Sequence, residues 1–201
     1  MPATDSVIPL YVQKGRLWQW SVARYHQLLQ AGILMDLDRF EFLEGYLVRK
    51  PDCSDAVREA RGRLSARFTR LREPGWQVRV TASVTLSDSE PEPDTVLARG
   101  GDTTFAERRP APGEIGLVVE VSQTRLDVDR NDMARIYARA GLPVYWIINV
   151  VDRQVELYTD PRPADPVPAY ATRTDYRPGD AVPLVLDGRP IAQLPVPDLL
   201  G

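Results

Sequence analysis

Three acidic side chains have the types and positions expected of a site that binds a divalent cation. Glu41, Asp94 and Glu120 each fall in or beside a strand-like run, and Glu120 interrupts the apolar run Leu117–Val121. An acid inside a strand that is buried on both faces needs a physical reason, because an uncompensated buried charge is costly. Two carboxylates on neighbouring strands can converge on Mg²⁺, which prefers oxygen ligands and polarises phosphodiesters. The pattern therefore indicates a metal-dependent hydrolytic site at Asp94 and Glu120.

Two other interpretations explain the same acids without any chemistry. Asp94 follows the acidic residues Asp88, Glu90 and Glu92, so it also fits a solvated acidic turn. Glu120 also fits a carboxylate held by a structural salt bridge, because buried charges are normally paired. Both alternatives stay open when the residues are considered alone.

The composition excludes several other kinds of chemistry. His26 is the only histidine and Cys53 the only cysteine, so a zinc site or a histidine-based triad is not expected. His26 lies in the middle of a predicted helix beside leucines, and we expect its role to be structural. Lys14 and Lys50 are the only lysines, so no lysine after residue 50 can take part in catalysis.

Length and hydropathy favour a soluble protein built around one main domain. The chain has 201 residues, of which 43% are hydrophobic and 26% charged, with a net charge of −3. It contains no apolar run long enough to cross a membrane and no pattern typical of a signal peptide. We therefore expect a cytoplasmic protein with no membrane partner, and the net charge by itself does not predict nucleic-acid binding.

Hydrophobic periodicity predicts an α/β fold. Ser21 and Ser54 have positions typical of helix N-caps, and a third helix is expected over residues 130–140. The order strand, helix, strand over residues 116–150 predicts a parallel βαβ unit. The predicted strands are a pair within Phe40–Val48, then Trp76–Val80, Val84–Leu86, Thr95–Ala98, Gly116–Ser122, Val144–Val150, Gln154–Tyr158 and a hairpin of Val182–Leu186 with Arg189–Ile191.

The C-terminal part of the chain differs in composition from the rest. Nine of the 18 prolines lie in residues 161–201. We predict an N-terminal extension at 1–17, the main domain at 18–160, and a proline-rich tail at 161–201 whose β-hairpin packs on the core. Because the tail and the strand that contains Tyr145 and Trp146 are rich in apolar residues, we expect them to contribute to a homodimer.

Four sequence motifs, in their order along the chain, resemble the Uma-two family of restriction endonucleases in the PD-(D/E)xK nuclease superfamily. They are Arg39–Gly45, Glu90–Asp94, Val118–Ser122 and Tyr137–Trp146, and the resemblance extends over about residues 18–160. It implies a restriction-endonuclease-like core, with a mixed central sheet flanked by helices, to which this chain adds a small C-terminal β-hairpin.

The resemblance also implies a set of site residues. Asp94 and Glu120 would bind Mg²⁺ or Mn²⁺, and Glu41 would contribute to the same catalytic site, for cleavage of nucleic acid, most directly DNA. The family lysine that assists the attacking water would stand at the position of Met133. Its replacement predicts an impaired enzyme or, alternatively, a non-catalytic module that keeps the nuclease fold and binds DNA or a protein. Met133 also fits simple core packing on the helix stripe that it shares with Tyr137.

Arginines are the remaining candidates for contact with phosphate. Arg130 lies one helical turn before Met133, and Arg58 and Arg61 lie on the basic helix that follows Ser54. Arginine pairs well with phosphate but does not act as a base, because its pKa is too high. The alternative is that these arginines form an ordinary solvated helix face.

Overall fold

A six-stranded mixed sheet forms the centre of the computed structural model, which describes residues 17–35, 40–50, 52–101 and 103–200. The elements are, in order, α1 (Val22–Gln30), β1 (Phe40–Leu43), β2 (Tyr46–Arg49), α2 (Asp55–Leu71), β3 (Trp76–Val80), β4 (Thr95–Arg99), a 3₁₀ turn (Pro112–Glu114), β5 (Ile115–Ser122), α3 (Leu126–Val128), a π-helical turn (Asp129–Met133), α4 (Ala134–Arg139), β6 (Val144–Asn149), β7 (Gln154–Arg162), β8 (Ala169–Tyr176), β9 (Ala181–Leu186), β10 (Arg189–Pro195) and α5 (Pro197–Leu200). The predicted α/β class, with a mixed sheet flanked by helices, is confirmed.

The sheet has the strand order β3-β4-β5-β6-β7-β8. Only β5 and β6 are parallel, and the other neighbouring pairs are antiparallel. Parallel neighbours need a crossover connection, which α3, the π-helical turn and α4 provide here. The predicted βαβ unit is therefore present.

The two faces of the sheet pack against different layers. Leu117, Val119 and Val121 of β5 share an apolar cluster with α2, the β9–β10 hairpin and α5. Val118, which points to the opposite face, packs in a second cluster that contains Met133 and Tyr137. This alternation follows from the period of two along a strand, and it places Glu120 on the second face, towards α4.

The serine caps form as the sequence predicts. The Oγ atom of Ser21 accepts a hydrogen bond from the backbone N–H of Arg24 at 3.3 Å. The Oγ atom of Ser54 accepts one from the backbone N–H of Val57 at 3.2 Å. Each cap satisfies a backbone donor that a helix start leaves without an intrahelical acceptor.

The predicted strand at Val84–Leu86 is wrong. These residues form a loop in which the backbone N–H of Val84 donates to Pro91 and that of Leu86 donates to Ser89. The facing segment contains Pro91 and Pro93, and because proline has no N–H, it cannot supply the donors that a ladder needs. Val84 is nevertheless fully buried.

The C-terminal region takes part in both the sheet and the core. β8 was not predicted from the sequence, and it forms the outer strand next to β7. The predicted hairpin is present as β9 and β10, and its apolar side chains belong to the first cluster. Tyr145 and Trp146 are fully buried within the protomer, so they do not provide exposed surface.

The remaining predictions about chain organisation concern the termini and the membrane. The proposed extension at 1–17 lies outside the described residues except for Leu17, and the proposed domain boundaries remain predictions. Within the described ranges, no helix is both long and apolar enough to cross a membrane.

Candidate active site

The pairing of β4 with β5 brings Asp94 and Glu120 to the same edge of the sheet. Thr95, which begins β4, lies opposite Val119 near the end of β5. Asp94 immediately precedes β4, and its Oδ2 atom accepts a hydrogen bond from the backbone N–H of Val121 at 2.6 Å. The chain neighbour of Glu120 therefore holds the Asp94 carboxylate directly.

Glu41 reaches this edge from the β1–β2 hairpin. An isolated bridge between Phe42 and Glu90 ties β1 to the segment that leads into Asp94. The side chain of Glu41 is only 3% exposed, and its Oε2 atom accepts a hydrogen bond from Nη1 of Arg125 at 2.8 Å. A carboxylate this deeply buried needs such a partner.

A cavity of about 350 Å³ connects the three predicted carboxylates. It lies between β1, the start of β4, the end of β5 and the first turns of α2. Its lining consists of Glu41, Lys50, Asp52, Cys53, Ser54, Val57, Arg61, Thr81, Glu92, Asp94, Glu120, Val121, Gln123, Thr124 and Arg125. The polar character of this lining suits a charged ligand.

The acids of the site repel one another. Removal from water is the main cause that raises the pKa of Glu120 well above its ordinary value, and the charges of Asp94, Asp129 and Glu41 raise it further. Burial also raises the pKa of Asp94, although Arg61 opposes that change. The pKa of Asp129 rises to about 6, mainly through burial. Concentrated negative charge of this kind favours a cation in the cavity.

Three basic side chains balance part of this charge. Nε of Arg61 lies 2.6 Å from Oδ1 of Asp94, and Arg125 binds Glu41 as described. Lys50 forms an ion pair with Glu92.

Tyr137, which is fully buried, donates a hydrogen bond from its hydroxyl to Oε1 of Glu120 at 2.7 Å. These contacts fix the orientation of the acids.

The donor chemistry of the site fits a hard divalent cation. Asp94 and Glu120 offer carboxylate oxygens, and their mutual repulsion is the kind of interaction that a bound cation relieves. In the described part of the chain, no group of three or more His, Cys, Asp or Glu side chains is arranged to hold a metal ion. A cation at this site would therefore rely on water and substrate phosphate for its other ligands, as Mg²⁺ commonly does.

Comparison with known proteins identifies the family. The family model described as "Uma2: Putative restriction endonuclease" matches residues 22–190, which is well over half of the chain. The chain belongs to the Uma2 family. The sequence-based assignment is thereby confirmed, and the match continues past β8 into the C-terminal hairpin.

A solved structure supports the same fold. A protein from Anabaena variabilis, whose crystal structure is described as a putative nuclease belonging to DUF820, superposes with a TM-score of 0.62 at 14% sequence identity. The match covers 85% of this chain and 94% of that one. No match was found among curated proteins. At this identity the structural likeness shows the fold alone.

The structure does not bring every predicted residue of this Uma2 chain to the cavity. Arg130 binds Glu156 of β7, with Nε 3.0 Å from Oε2, and Arg58 pairs with Asp55 on the exposed side of α2. Arg61 does line the cavity. The prediction that Arg130 lies one helical turn before Met133 assumed a regular α-helix. Asp129–Met133 is instead a π-helical turn, in which each turn takes an additional residue.

Met133 and His26 both lie outside the cavity. Met133 is fully buried in the apolar cluster that contains Tyr137. His26 lies 2.6 Å from Oε2 of the buried Glu90, an ion-pair geometry that joins α1 to the segment before β4 and agrees with the structural role expected for it. The assignment of Met133 as the position of a lost lysine remains a proposal.

Sequence reasoning missed three groups at the site: Arg125, Asp129 and Tyr137. Arg125 contacts Glu41 across 84 positions of the chain and Tyr137 contacts Glu120 across 17, so local spacing gives no sign of these contacts. The sequence signal available for Asp129 was the group of acidic residues Asp127, Asp129 and Asp132 near the start of the helix predicted over residues 130–140.

Proposed function

We propose that this Uma2 protein is a divalent-metal-dependent endonuclease that hydrolyses phosphodiester bonds in nucleic acid, most directly in DNA. The observation that carries the proposal is that Asp94, immediately before β4, and Glu120, on the adjacent strand β5, line one polar cavity with Glu41. Membership in a family of nucleases supports this choice of reaction.

Asp94 and Glu120 would hold Mg²⁺ or Mn²⁺, with Glu41 beside them. When bound, the metal would polarise the phosphodiester and lower the pKa of a water molecule. The chain itself orients the acids: the Val121 N–H holds Asp94, and the Tyr137 hydroxyl holds Glu120. Such prior orientation avoids reorganisation during the reaction.

Substrate contact is proposed for the basic side of α2. Arg61 lines the cavity, and Arg58 lies one turn earlier with 65% of its side chain exposed. Guanidinium groups at such positions bind phosphate oxygens well. Arg130 is a weaker candidate because it binds Glu156 of β7 and does not line the cavity.

A second candidate function is a non-catalytic nuclease fold that binds DNA or a protein. The favouring observation is that arginines pair with Asp94 and Glu41. Arginine cations can neutralise these acids without a metal. The absence of lysine at the position of Met133 supports the same alternative.

Titration of Mg²⁺ or Mn²⁺ against plasmid DNA tests the proposal. The parent protein is expected to nick or linearise DNA only with the metal, whereas Asp94→Asn and Glu120→Gln should each lose at least about 100-fold in rate. Asp165→Asn, an exposed change in the β7–β8 loop, is the matched control and should retain the parent rate.

The outcomes separate the two candidates. Metal-dependent cleavage that persists in Asp94→Asn would contradict the assigned site. DNA binding by the parent and both variants, without cleavage at any metal concentration, would favour the non-catalytic module instead.

A further inference from the structure

Lys50 is the only lysine in the described part of the chain, and it enters the candidate site. It immediately follows β2, and its side chain is 21% exposed. Its neighbours in the cavity lining include Glu41, Asp94 and Glu120. An ammonium group therefore lies where the substrate phosphate would meet the proposed metal-binding acids.

Lys50 is held by an acid that lies outside the proposed metal-binding pair. Its ion-pair partner is Glu92, which is 29% exposed. Burial lowers the pKa of Lys50, while the charges of Glu41, Glu120 and Asp94 favour its protonated form. All three carboxylates line the same cavity as Lys50.

We propose that Lys50 is a catalytic residue that leaves Glu92 and binds a non-bridging oxygen of the scissile phosphate. This inference rests on the proposed nuclease function. In the hydrolysis, a water oxygen bonds to phosphorus, the bond from phosphorus to one ester oxygen breaks, and one proton of the water ends on the released oxygen. Lys50 keeps its own protons and stabilises the negative charge that builds up on the phosphate.

The other basic groups of the cavity are less available for this role. Arg61 and Arg125 are each paired with a site carboxylate, at 2.6 and 2.8 Å. Met133, on the crossover helix, is fully buried among apolar side chains and does not line the cavity. The Lys50 ammonium group sits on a flexible stem and is paired with a partly exposed acid. It can therefore move to a phosphate at a smaller free-energy cost than the paired arginines.

The test compares Lys50→Gln with Glu92→Gln. Both changes remove the ion pair between Lys50 and Glu92, so a loss that comes from the pair alone should appear in both variants. If Lys50 contacts the substrate, Lys50→Gln should lower kcat by about 100-fold with Mg²⁺. Glu92→Gln, which removes the partner but leaves the lysine able to bind phosphate, should lose much less activity than Lys50→Gln, and Lys50→Arg, which keeps the charge, should retain part of the activity.

Binding provides a second readout that does not depend on turnover. Anisotropy of a fluorescein-labelled DNA duplex in EDTA should show weaker binding by Lys50→Gln, with the slope against log salt reduced by about one. Thermal unfolding of each variant accompanies both assays. If Lys50→Gln does not fold, the comparison of Lys50→Arg with Glu92→Gln decides the question, because a positive charge without lysine geometry should still lower kcat.

Different results overturn the inference and the function. Parental cleavage and binding by Lys50→Gln, or equal losses in Lys50→Gln and Glu92→Gln, would overturn the role of Lys50 while the nuclease function stands. A parent that neither cleaves nor binds any DNA or RNA tested would overturn both.

Discussion

Glu120 shows how the position of a residue on a strand determines its chemical environment. The alternation along β5 turns it away from Val119 and Val121 and towards Tyr137. Burial raises the pKa of its carboxyl group well above the ordinary value, and the charges of Asp94, Asp129 and Glu41 raise it further. A nearby cation stabilises the ionised form of a carboxyl group in this environment.

Met133 gives a stability prediction at the residue scale. Its side chain is fully buried in the second apolar cluster. Met133→Ala should therefore lower the free energy of unfolding by about 2–5 kcal/mol, because it leaves a cavity. Met133→Leu, which nearly conserves volume, should cost less than about 1.5 kcal/mol. Urea denaturation measures both, and equal stability of the two variants would contradict close packing around Met133.

Gly116 is required by a close contact between β5 and its neighbours. A Cβ atom at this position would lie 2.5 Å from the Trp76 ring and 2.9 Å from Leu186. Gly116→Ala should destabilise the protein by about 1–3 kcal/mol through overpacking. The matched control is Gly113→Ala, whose new Cβ meets nothing within 4 Å. Differential scanning calorimetry should show a lower Tm for the first variant only.

At the scale of elements, the turn between β1 and β2 is anchored to α4. Glu44 in this turn binds Arg135, with Nη2 2.8 Å from Oε2, and Arg139, with Nη1 2.7 Å from Oε1. This anchor holds the strand that carries Glu41 against the crossover helix. The position of Glu41, an acid of the candidate site, thus depends on an ion-pair cluster outside the cavity.

The same cluster predicts a pH dependence of stability. Its hydrogen bonds to Arg135 are the largest cause that lowers the pKa of Glu44 from 4.5 to about 2. Because the folded state binds this proton less tightly, the stabilisation is complete above about pH 5 and is lost as the pH falls towards 2. Glu44→Gln should be less stable than the parent at pH 7, by about 1–2 kcal/mol after allowance for solvent screening.

Chemical denaturation of both proteins between pH 7 and pH 2.5 measures this difference, which should shrink as the pH falls. A difference in unfolding free energy that stays constant across the range would exclude ionisation of Glu44 as its cause.

At the scale of the whole molecule, the sheet separates two layers of different composition and contacts. The face covered by α2, the hairpin and α5 is closed by apolar packing that includes Val182, Leu184 and Leu199. The opposite face holds the crossover helix and Tyr137, which reaches Glu120. The site lies where both layers meet one edge of the sheet, so α2 and β1 can each contribute side chains.

The predicted homodimer belongs to this scale. Tyr145 and Trp146 are buried within the protomer, so we expect the tail alone to provide the contact. β8 is the outer strand of the sheet, and most of its residues are exposed. Strand edges of this kind readily pair with a second chain. Light scattering at high micromolar concentration should give the mass of a dimer, and the mass of a monomer would contradict the prediction.

The sequence by itself determined the helices and strands that depend on interactions between residues close together in the chain. Ser21 and Ser54 cap their helices because a serine side chain reaches a backbone N–H three residues later. The apolar run around Glu120 indicated a central strand because a strand buried on both faces must be apolar. The motifs that include Asp94 and Glu120 were sufficient to indicate the family, which the family comparison confirmed.

Only the tertiary structure decided which charges meet. Arg125 reaches Glu41 across 84 positions, and Arg61 reaches Asp94 from a helix on the other side of the cavity. Arg130 instead binds Glu156 of β7, and Met133, from which its position was inferred, does not line the cavity either. Such pairings depend on how strands and helices are placed in space, and sequence periodicity describes only one element at a time.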